Sequence, residues 1–126
     1  MSDALLKTGV IAIVDDDAPL REALGSVMKA AGFLTSTFAS AEDFLDSANW
    51  RDTACLILDV RLPGMSGVEL QKRLAEAGSQ VPIVFVTANA TDENRRMASI
   101  LGAKGFLSKP VRRQDLLNIV RAAIPS

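Results

Sequence analysis

Short apolar segments alternate with amphipathic segments along this chain, and this alternation limits the possible folds more than any other feature. The segments VIAIV, CLIL and PIVFV are nearly continuous apolar runs rich in branched side chains, which is typical of strands buried on both faces of a parallel sheet. LTSTF alternates apolar and polar side chains, as an edge strand does, and GFLS is a weaker fifth segment. We therefore expect strands at about residues 10–14, 34–38, 55–59, 82–87 and 105–109.

A helical pattern follows each predicted strand. In PLREALGSVMKAAG, for example, Leu20, Leu24 and Met28 recur at helical spacing. Residues that favour helix starts precede four helical segments: Asp17, Ser40, Ser66 with Glu69 as a capping box, and Thr91. Helix-ending glycines follow three of them: Gly32, Gly78 and Gly102. Five strand–helix pairs with short connections predict a doubly wound α/β fold, in which helices cover both faces of an open parallel sheet.

The composition excludes several classes of protein. A length of 126 residues, of which 48% are hydrophobic, fits one globular domain over residues 1–126. Because 14 basic and 15 acidic residues give a net charge of −1, we expect no direct binding to nucleic acid or to a membrane. The absence of histidine excludes Ser-His-Asp and Cys-His catalysis, and the single cysteine, Cys55, excludes an internal disulfide. The chain shows no signal peptide and no membrane-spanning apolar run, so we expect a cytoplasmic protein.

Polar side chains stand at the carboxyl ends of four predicted strands. Three consecutive aspartates, which begin with Asp15, follow the first strand; the third, fourth and fifth strands end in Asp59, Thr87 and Lys109. In open α/β sheets ligands bind beyond the carboxyl ends of the strands, so we expect these residues to share one edge of the sheet. The last of the three aspartates, Asp17, is better explained as the N-cap of the first helix.

The clustered acids raise an electrostatic problem. Two carboxylates about 4 Å apart repel each other by about 4 kcal/mol at an effective dielectric constant of about 20. Such a cluster is tolerated if the acids are spread apart, are protonated or share a cation. A hard divalent ion with oxygen ligands from one or two carboxylates is best described by Mg²⁺. A metal beside a free carboxylate, a lysine and a hydroxyl indicates phosphoryl chemistry, with Asp59 as the nucleophile because it stands alone on a central strand.

The motifs IVDDD, LILDVRLPGMSGVEL, VFVTA and GFLSKP resemble, in order and spacing, the receiver domain of two-component response regulators over nearly the whole chain. Within that family the resemblance is closest to receivers that precede LuxR-type DNA-binding domains, as in nitrogen-fixation regulators. The resemblance implies a flavodoxin-like (βα)5 fold with strand order 2-1-3-4-5. It also implies a cis peptide bond between Lys109 and Pro110.

The resemblance also implies a role for each residue at the predicted edge. Asp59 is expected to be the phosphoacceptor, Thr87 the switch hydroxyl and Lys109 the phosphate-binding lysine. Phe106 occupies the position of the family's aromatic switch.

A Mg²⁺ site follows from the same resemblance. Asp16, Asp59 and the backbone carbonyl of Arg61 are expected to bind the ion directly. Asp15 is expected to bind it through a water molecule. In the family, the positions that Arg61, Ala88 and Asn89 occupy here also modulate how long the phosphoryl bond lasts.

The predicted function is a phosphorylation-dependent signalling switch. A sensor histidine kinase or a histidine phosphotransfer protein would donate a phosphoryl group to Asp59, and the domain would catalyse only this transfer and the later hydrolysis. Phosphorylation would change a surface on the fourth helix, fifth strand and fifth helix, where a downstream protein or a second copy of the chain would bind. No helix-turn-helix segment follows the fifth helical segment, so the sequence fits either a stand-alone receiver or one without its output domain.

Three other functions fit the same fold. A hydrolase that acts through an aspartyl phosphate would need a general acid two residues after the nucleophile, where this chain has Arg61. A flavin-binding protein would need free backbone N–H groups after the first strand, where three aspartates would instead repel the flavin phosphate. A protein-binding module that never uses the phosphate would keep the fold, but the intact set of acids, threonine and lysine favours the switch.

Taken singly, most of these residues also have a structural explanation. Thr87 alone would be an ordinary β-branched strand residue, Lys109 a surface charge and Phe106 a core residue. Their positions relative to the acids, rather than their types, support the functional interpretation. The fourth and fifth helical segments carry four arginines, for which a solvated surface is the preferred interpretation and a basic docking surface the second: Arg95, Arg96, Arg112 and Arg113.

Overall fold

Five short segments rich in Val, Ile, Leu and Phe form one parallel sheet in the computed structural model, which describes residues 9–124. The strands are β1 (Val10–Val14), β2 (Leu34–Phe38), β3 (Thr53–Leu58), β4 (Ile83–Thr87) and β5 (Gly105–Ser108). They lie in the order β2-β1-β3-β4-β5, and each neighbouring pair is parallel. The predicted doubly wound α/β fold with strand order 2-1-3-4-5 is therefore confirmed, with LTSTF at an edge of the sheet.

Four of the five α-helices within the described residues begin where the capping residues predict. The five helices are α1 (Ala18–Ala30), α2 (Ala41–Asp46), α3 (Gly67–Glu76), α4 (Asp92–Ile100) and α5 (Arg113–Ala123). Four predicted capping side chains each accept a hydrogen bond from a backbone N–H in the first turn: Asp17, Ser40, Ser66 and Thr91. Ser66 and Glu69 form the predicted capping box, since the Glu69 carboxylate accepts the Ser66 N–H at 3.0 Å.

Two further observations concern the helices: one 3₁₀-helix was not predicted, and the longest α-helix is short compared with a bilayer. A 3₁₀-helix, Trp50–Asp52, precedes β3 and has no counterpart among the predicted helices. The longest helix of the described chain, α1, has 13 residues, fewer than the roughly 20 that a bilayer requires. Across residues 9–124, no helix combines the length and the hydrophobicity of a membrane span.

Two strands start at different residues than predicted. β3 begins at Thr53 rather than at residue 55, because Thr53 pairs with Val10 across a local irregularity in the ladder. A polar first residue conceals this start in the sequence. β4 begins at Ile83 rather than at residue 82, because Pro82 has no N–H and contributes only its carbonyl to the neighbouring strand.

Two strands also end one residue earlier than predicted, so Asp59 and Lys109 lie just beyond β3 and β5 instead of within them. Each residue still donates its backbone N–H to a neighbouring strand. The acceptors are the carbonyl of Val14 for Asp59, at 3.2 Å, and the carbonyl of Thr87 for Lys109, at 2.9 Å. Each strand ends just before these residues, so both side chains lie at the carboxyl edge of the sheet.

The strands bury side chains on both faces of the sheet and so create two hydrophobic cores. The α2–α3–α4 core includes Val14, Phe44, Leu56, Leu58, Leu70 and Phe85. The α1–α5 core includes Ile11, Ile13, Met28, Ile57, Val84, Leu116 and Val120. Successive residues of a strand point to opposite faces, so β1, β3 and β4 each contribute buried side chains to both cores. Fully burying one such side chain contributes about 1.5–3 kcal/mol, and this repeated burial holds the strand ends in fixed positions.

Candidate functional site

Buried polar side chains concentrate at the carboxyl edge of the sheet. Among residues 9–124, four polar or charged residues are buried, and three of them lie at this edge: Asp15 (2% exposed), Asp59 (6%) and Thr87 (0%). The strand order places β1, β3 and β4 side by side, so their carboxyl ends meet although they are distant in sequence. The structure therefore brings the predicted residues to one edge.

The Lys109 ammonium links two of the acids. Its Nζ donates a hydrogen bond to Oδ2 of Asp59 at 2.7 Å and lies 3.0 Å from Oδ2 of Asp15. Burial lowers the pKa of Lys109, but hydrogen bonds to Asp59 and Asp15 and their negative charges outweigh it, so that the net pKa is raised above its ordinary value. Lys109 therefore carries its positive charge at neutral pH. The Lys109–Pro110 peptide bond is cis, as the resemblance implied.

Asp15 is a buried anion that the protein compensates only in part. Burial raises the pKa of Asp15, and the nearby Asp59 carboxylate adds to the rise; the hydrogen bond from the Asp17 N–H and the contact with Lys109 oppose it. The Asp17 N–H donates to Oδ1 of Asp15 at 2.9 Å, and the Arg21 guanidinium donates to the Asp15 backbone carbonyl at 2.7 Å. These contacts fix the position of Asp15, and a bound cation would stabilise its charge further.

Asp16 completes a cluster of three carboxylates. Unlike Asp15 and Asp59 it is exposed, and one oxygen from each of the three residues lies within 4.8 Å of the others. Two oxygens that bind one Mg²⁺ at about 2.0–2.1 Å are at most about 4.2 Å apart, so small side-chain movements suffice for a shared ion. Because the donors are all oxygen atoms, the residues fit a hard divalent cation.

The loop between β3 and α3 lies directly against Asp59. The Arg61 N–H donates to Oδ1 of Asp59 at 3.2 Å, so both carboxylate oxygens of Asp59 accept hydrogen bonds. A side chain at Gly67 would collide with the backbone carbonyl of Asp59, which explains why glycine starts α3. The predicted role of Arg61 concerned its carbonyl, whereas the contact that the structure shows is made by its N–H.

The Thr87 hydroxyl is held by its own loop. It lies at the end of β4, where its Oγ1 accepts the Asn89 N–H at 3.0 Å. Thr87 therefore lies at the predicted edge, and its hydroxyl is hydrogen-bonded to the Asn89 N–H rather than to one of the acids.

Phe106 lies between the core and α4. Its ring centroid is 5.9 Å from that of Phe85, and the Arg95 guanidinium lies 4.8 Å from the Phe106 centroid. Arg95 also donates to the Ser108 hydroxyl at 3.1 Å. The four arginines of α4, α5 and the preceding loop are exposed, as expected. Arg95 nevertheless covers the aromatic ring, so the ring cannot turn outward without disturbing this contact.

Two residues that contact the site are absent from the predicted set. Arg21 binds the Asp15 carbonyl from the first turns of α1. In the sequence, a basic side chain six residues after Asp15 is only a weak indication of this contact. Glu42 accepts the Met65 N–H at 2.9 Å, and nothing in the linear sequence indicates it because 23 residues separate the two.

Comparison with known proteins places this chain in a family. The family model for the response regulator receiver domain matches residues 11–121. Response regulator protein TodT of Pseudomonas putida is 41% identical over 124 residues, which cover 98% of this chain and 53% of TodT. Transcriptional regulatory protein FixJ of Bradyrhizobium diazoefficiens is 36% identical over 116 residues, which cover 92% of this chain and 57% of FixJ. The chain spans about half the length of these curated relatives.

A solved structure supports the same assignment. Chemotaxis protein CheY4 of Vibrio cholerae superposes with a TM-score of 0.84 at 25% identity, covering 92% of this chain and 98% of CheY4. This likeness agrees with the flavodoxin-like fold, and the match to FixJ agrees with the LuxR-type subfamily that the motifs indicated. The chain belongs to the receiver domain family of two-component response regulators.

Proposed function

We propose that this chain is a phosphorylation-dependent signalling switch in which Asp59 accepts a phosphoryl group from a phosphohistidine. The donor is a sensor histidine kinase or a histidine phosphotransfer protein. The observation that supports this most directly is the Asp59 carboxylate, which lies 2.7 Å from the Lys109 ammonium and within a cluster of three acids. A nucleophilic carboxylate beside fixed positive charge is the arrangement that phosphoryl transfer requires.

In the transfer step, a carboxylate oxygen of Asp59 attacks the phosphorus atom. The bond from phosphorus to the donor imidazole breaks, and the imidazole nitrogen keeps the electron pair. The Lys109 ammonium, already at this position, offsets negative charge on the phosphoryl oxygens. Later attack by water on phosphorus returns the Asp59 carboxylate and inorganic phosphate, so the domain acts only on itself.

Asp16, Asp59 and the Arg61 backbone carbonyl are the proposed direct ligands of Mg²⁺, and Asp15 would hold it through water. When bound, Mg²⁺ supplies positive charge that offsets the charge of the acids and of the incoming phosphoryl oxygens. The spacing of the three carboxylates and the partly compensated burial of Asp15 support this ligand set.

Thr87 and Phe106 carry the signal in this proposal. The Thr87 hydroxyl releases the Asn89 N–H and moves toward a phosphoryl oxygen, and Phe106 turns into the space that it leaves. Arg95 follows, because its guanidinium covers the Phe106 ring. The surface formed by α4, β5 and α5 is thereby shifted between two existing states, and one of them binds a downstream protein.

Intact-protein mass spectrometry tests the first step. The chain is incubated with a small phosphodonor and Mg²⁺, beside an Asp59→Asn control and an EDTA control. We expect one base-labile phosphoryl adduct on the wild type and none on either control.

Other results would redirect the proposal. Lack of an adduct on folded protein that binds Mg²⁺ would favour a protein-binding module that does not use the phosphate. An adduct that persists in Asp59→Asn would show that another residue is the phosphoacceptor. Many turnovers of a phosphate ester would indicate a hydrolase.

A further inference from the structure

Glu42, on α2, contacts the loop that follows Asp59, and neither the capping of α2 nor the proposed phosphoryl chemistry accounts for this contact. Its Oε2 accepts the Met65 N–H at 2.9 Å. The neighbouring Gly64 has a φ of +74°, and a side-chain carbon at this position would lie only 2.5 Å from the same oxygen. The loop therefore offers this carboxylate both a backbone donor and a residue without a side chain.

This hydrogen bond attaches the middle of the loop to another part of the fold. Leu62 and Met65 also pack against the α2–α3–α4 core. The other hydrogen bonds that the structure records for the loop in residues 60–66 join nearby positions. They run from the Arg61 N–H to Asp59, from the Ser66 N–H to Glu69, from the Gly67 N–H to Val60, and from the Glu69 and Leu70 N–H groups to Ser66. Within the described chain, Glu42 is thus the one hydrogen-bonding partner of the loop that comes from a distant segment, 23 residues from Met65.

The helix that carries Glu42 is a firm support. α2 has only six residues, but its Ala41 and Phe44 are fully buried in the α2–α3–α4 core. The Phe44 ring also packs edge-on against Phe38 of β2, with 5.5 Å between centroids. The backbone of Glu42 is therefore held in place by its neighbours, which keeps its exposed carboxylate within hydrogen-bonding reach of the loop.

We propose that Glu42 is a positioning residue for the phosphorylation site, because by holding Met65 it fixes the loop whose Arg61 backbone faces Asp59. This inference rests on the proposed function. Without the hydrogen bond to Glu42, the Arg61 backbone samples more positions. Binding of an ion then has to order this backbone, which lowers the ion's affinity. The expected effect is therefore on Mg²⁺ affinity and not on the phosphoryl transfer itself.

Two measurements on variants of the 126-residue chain test this role. Amide hydrogen exchange at Met65 reports the hydrogen bond directly, and isothermal titration calorimetry gives the Mg²⁺ dissociation constant. For Glu42→Ala we expect faster exchange at Met65 and a dissociation constant about two- to tenfold higher, the factor that corresponds to one net hydrogen bond. Phosphorylation should slow by a similar factor at low Mg²⁺ and approach the wild-type rate at saturating Mg²⁺.

Matched variants separate positioning from general effects. Glu42→Gln keeps an acceptor oxygen and should retain most of the affinity, whereas Asp43→Ala removes a neighbouring exposed charge from α2 and should leave it unchanged. If Glu42→Ala unfolds, Glu42→Met tests the same bond, because it keeps the length of the side chain without its oxygens. A Mg²⁺ affinity of Glu42→Ala or Glu42→Met equal to that of Asp43→Ala would overturn the positioning role. The proposed function is tested separately, by whether the wild type forms the phosphoryl adduct.

Discussion

The Nζ atom of Lys109 lies 2.7 Å from Oδ2 of Asp59, although 50 residues separate the two in the sequence. The same nitrogen is 3.0 Å from Oδ2 of Asp15, so one lysine compensates two buried acids that follow different strands. With Asp16 included, three carboxylates and one ammonium leave a formal charge of −2 at this edge (three negative charges and one positive). Either a divalent cation or the loss of one acid would therefore bring the cluster closer to neutrality.

The first prediction concerns Lys109→Met, which removes the charge and keeps most of the side-chain length. We expect the metal-free variant to be less stable than the wild type by about 1–3 kcal/mol, because Asp15 and Asp59 remain buried without their shared donor. Mg²⁺ should restore more stability to the variant than to the wild type. Thermal unfolding in Mg²⁺ or in EDTA measures both effects, with the exposed Lys104→Met as the control. Equal effects of Mg²⁺ on the two proteins would contradict this prediction.

The second prediction is a pH dependence that originates at Asp15. Because burial raises the pKa of Asp15 in the folded protein, the folded state binds the proton more tightly than the unfolded state. Ionisation of Asp15 therefore lowers stability as pH rises from the ordinary pKa of 3.8 through the raised value in the folded protein. We expect metal-free Asp15→Asn to exceed the wild type in stability at neutral pH by about 0.5–2 kcal/mol. The difference should shrink as pH falls and should vanish below the ordinary pKa of 3.8, where the wild-type carboxyl is protonated in both states.

Urea unfolding in EDTA, from neutral to acidic pH, measures this difference. Asp52→Asn, at an exposed acid on the 3₁₀-helix, controls for the change of net charge. If the advantage of Asp15→Asn were the same at every pH, ionisation of Asp15 would not be its source.

The third prediction separates phosphorylation from signalling at Thr87. Thr87→Val keeps the shape of the side chain and removes the hydroxyl, at a cost of about 1 kcal/mol because the Asn89 N–H loses its acceptor. We expect Asp59 still to be phosphorylated, but the amide chemical shifts of Arg95 and Phe106 to respond less to the phosphodonor than in the wild type. Thr87→Ser should restore the response. An undiminished response in Thr87→Val would show that the signal travels by another route.

The fourth prediction concerns the close approach of α3 to Asp59. Gly67→Ala should destabilise the protein by about 1–3 kcal/mol, because its methyl group would collide with the Asp59 carbonyl. Gly25→Ala, on α1, is a suitable comparison: its methyl group would lie 3.7 Å from the nearest atom of Thr37, an ordinary contact. That variant should be neutral or more stable by up to about 1 kcal/mol. Urea denaturation of both variants checks the contrast, which would fail if the two glycines tolerated alanine equally.

Features that depend on local chemistry were predictable from the sequence. The capping roles of Asp17 and Ser66 follow from side-chain oxygens that lie next to the first free N–H groups of a helix. The meeting of Asp15, Asp59 and Lys109 at one edge follows from parallel strands, whose carboxyl ends share a side of the sheet.

Contacts between individual residues of distant segments, beyond those that the parallel strand order fixes, were not predictable. The start of β3 at Thr53 depends on the pairing with β1, and a polar residue conceals it in the sequence. The contact of Glu42 with Met65 depends on how far α2 reaches over the loop, which no spacing along the chain encodes. The stacking of Arg95 on Phe106 likewise joins α4 to β5 through three-dimensional proximity alone.

The separation of the interior into an α2–α3–α4 core and an α1–α5 core has an evolutionary consequence. No residue belongs to both sets of buried side chains within the described chain, because the sheet stands between them. Mutations that adapt the outer surfaces of α1 and α5 to a new partner therefore disturb the packing of one core only. The opposite face, which supports Glu42 and the loop after Asp59, keeps its own packing. The outer surface of α1 and α5 can therefore change while the packing behind the loop after Asp59 is kept.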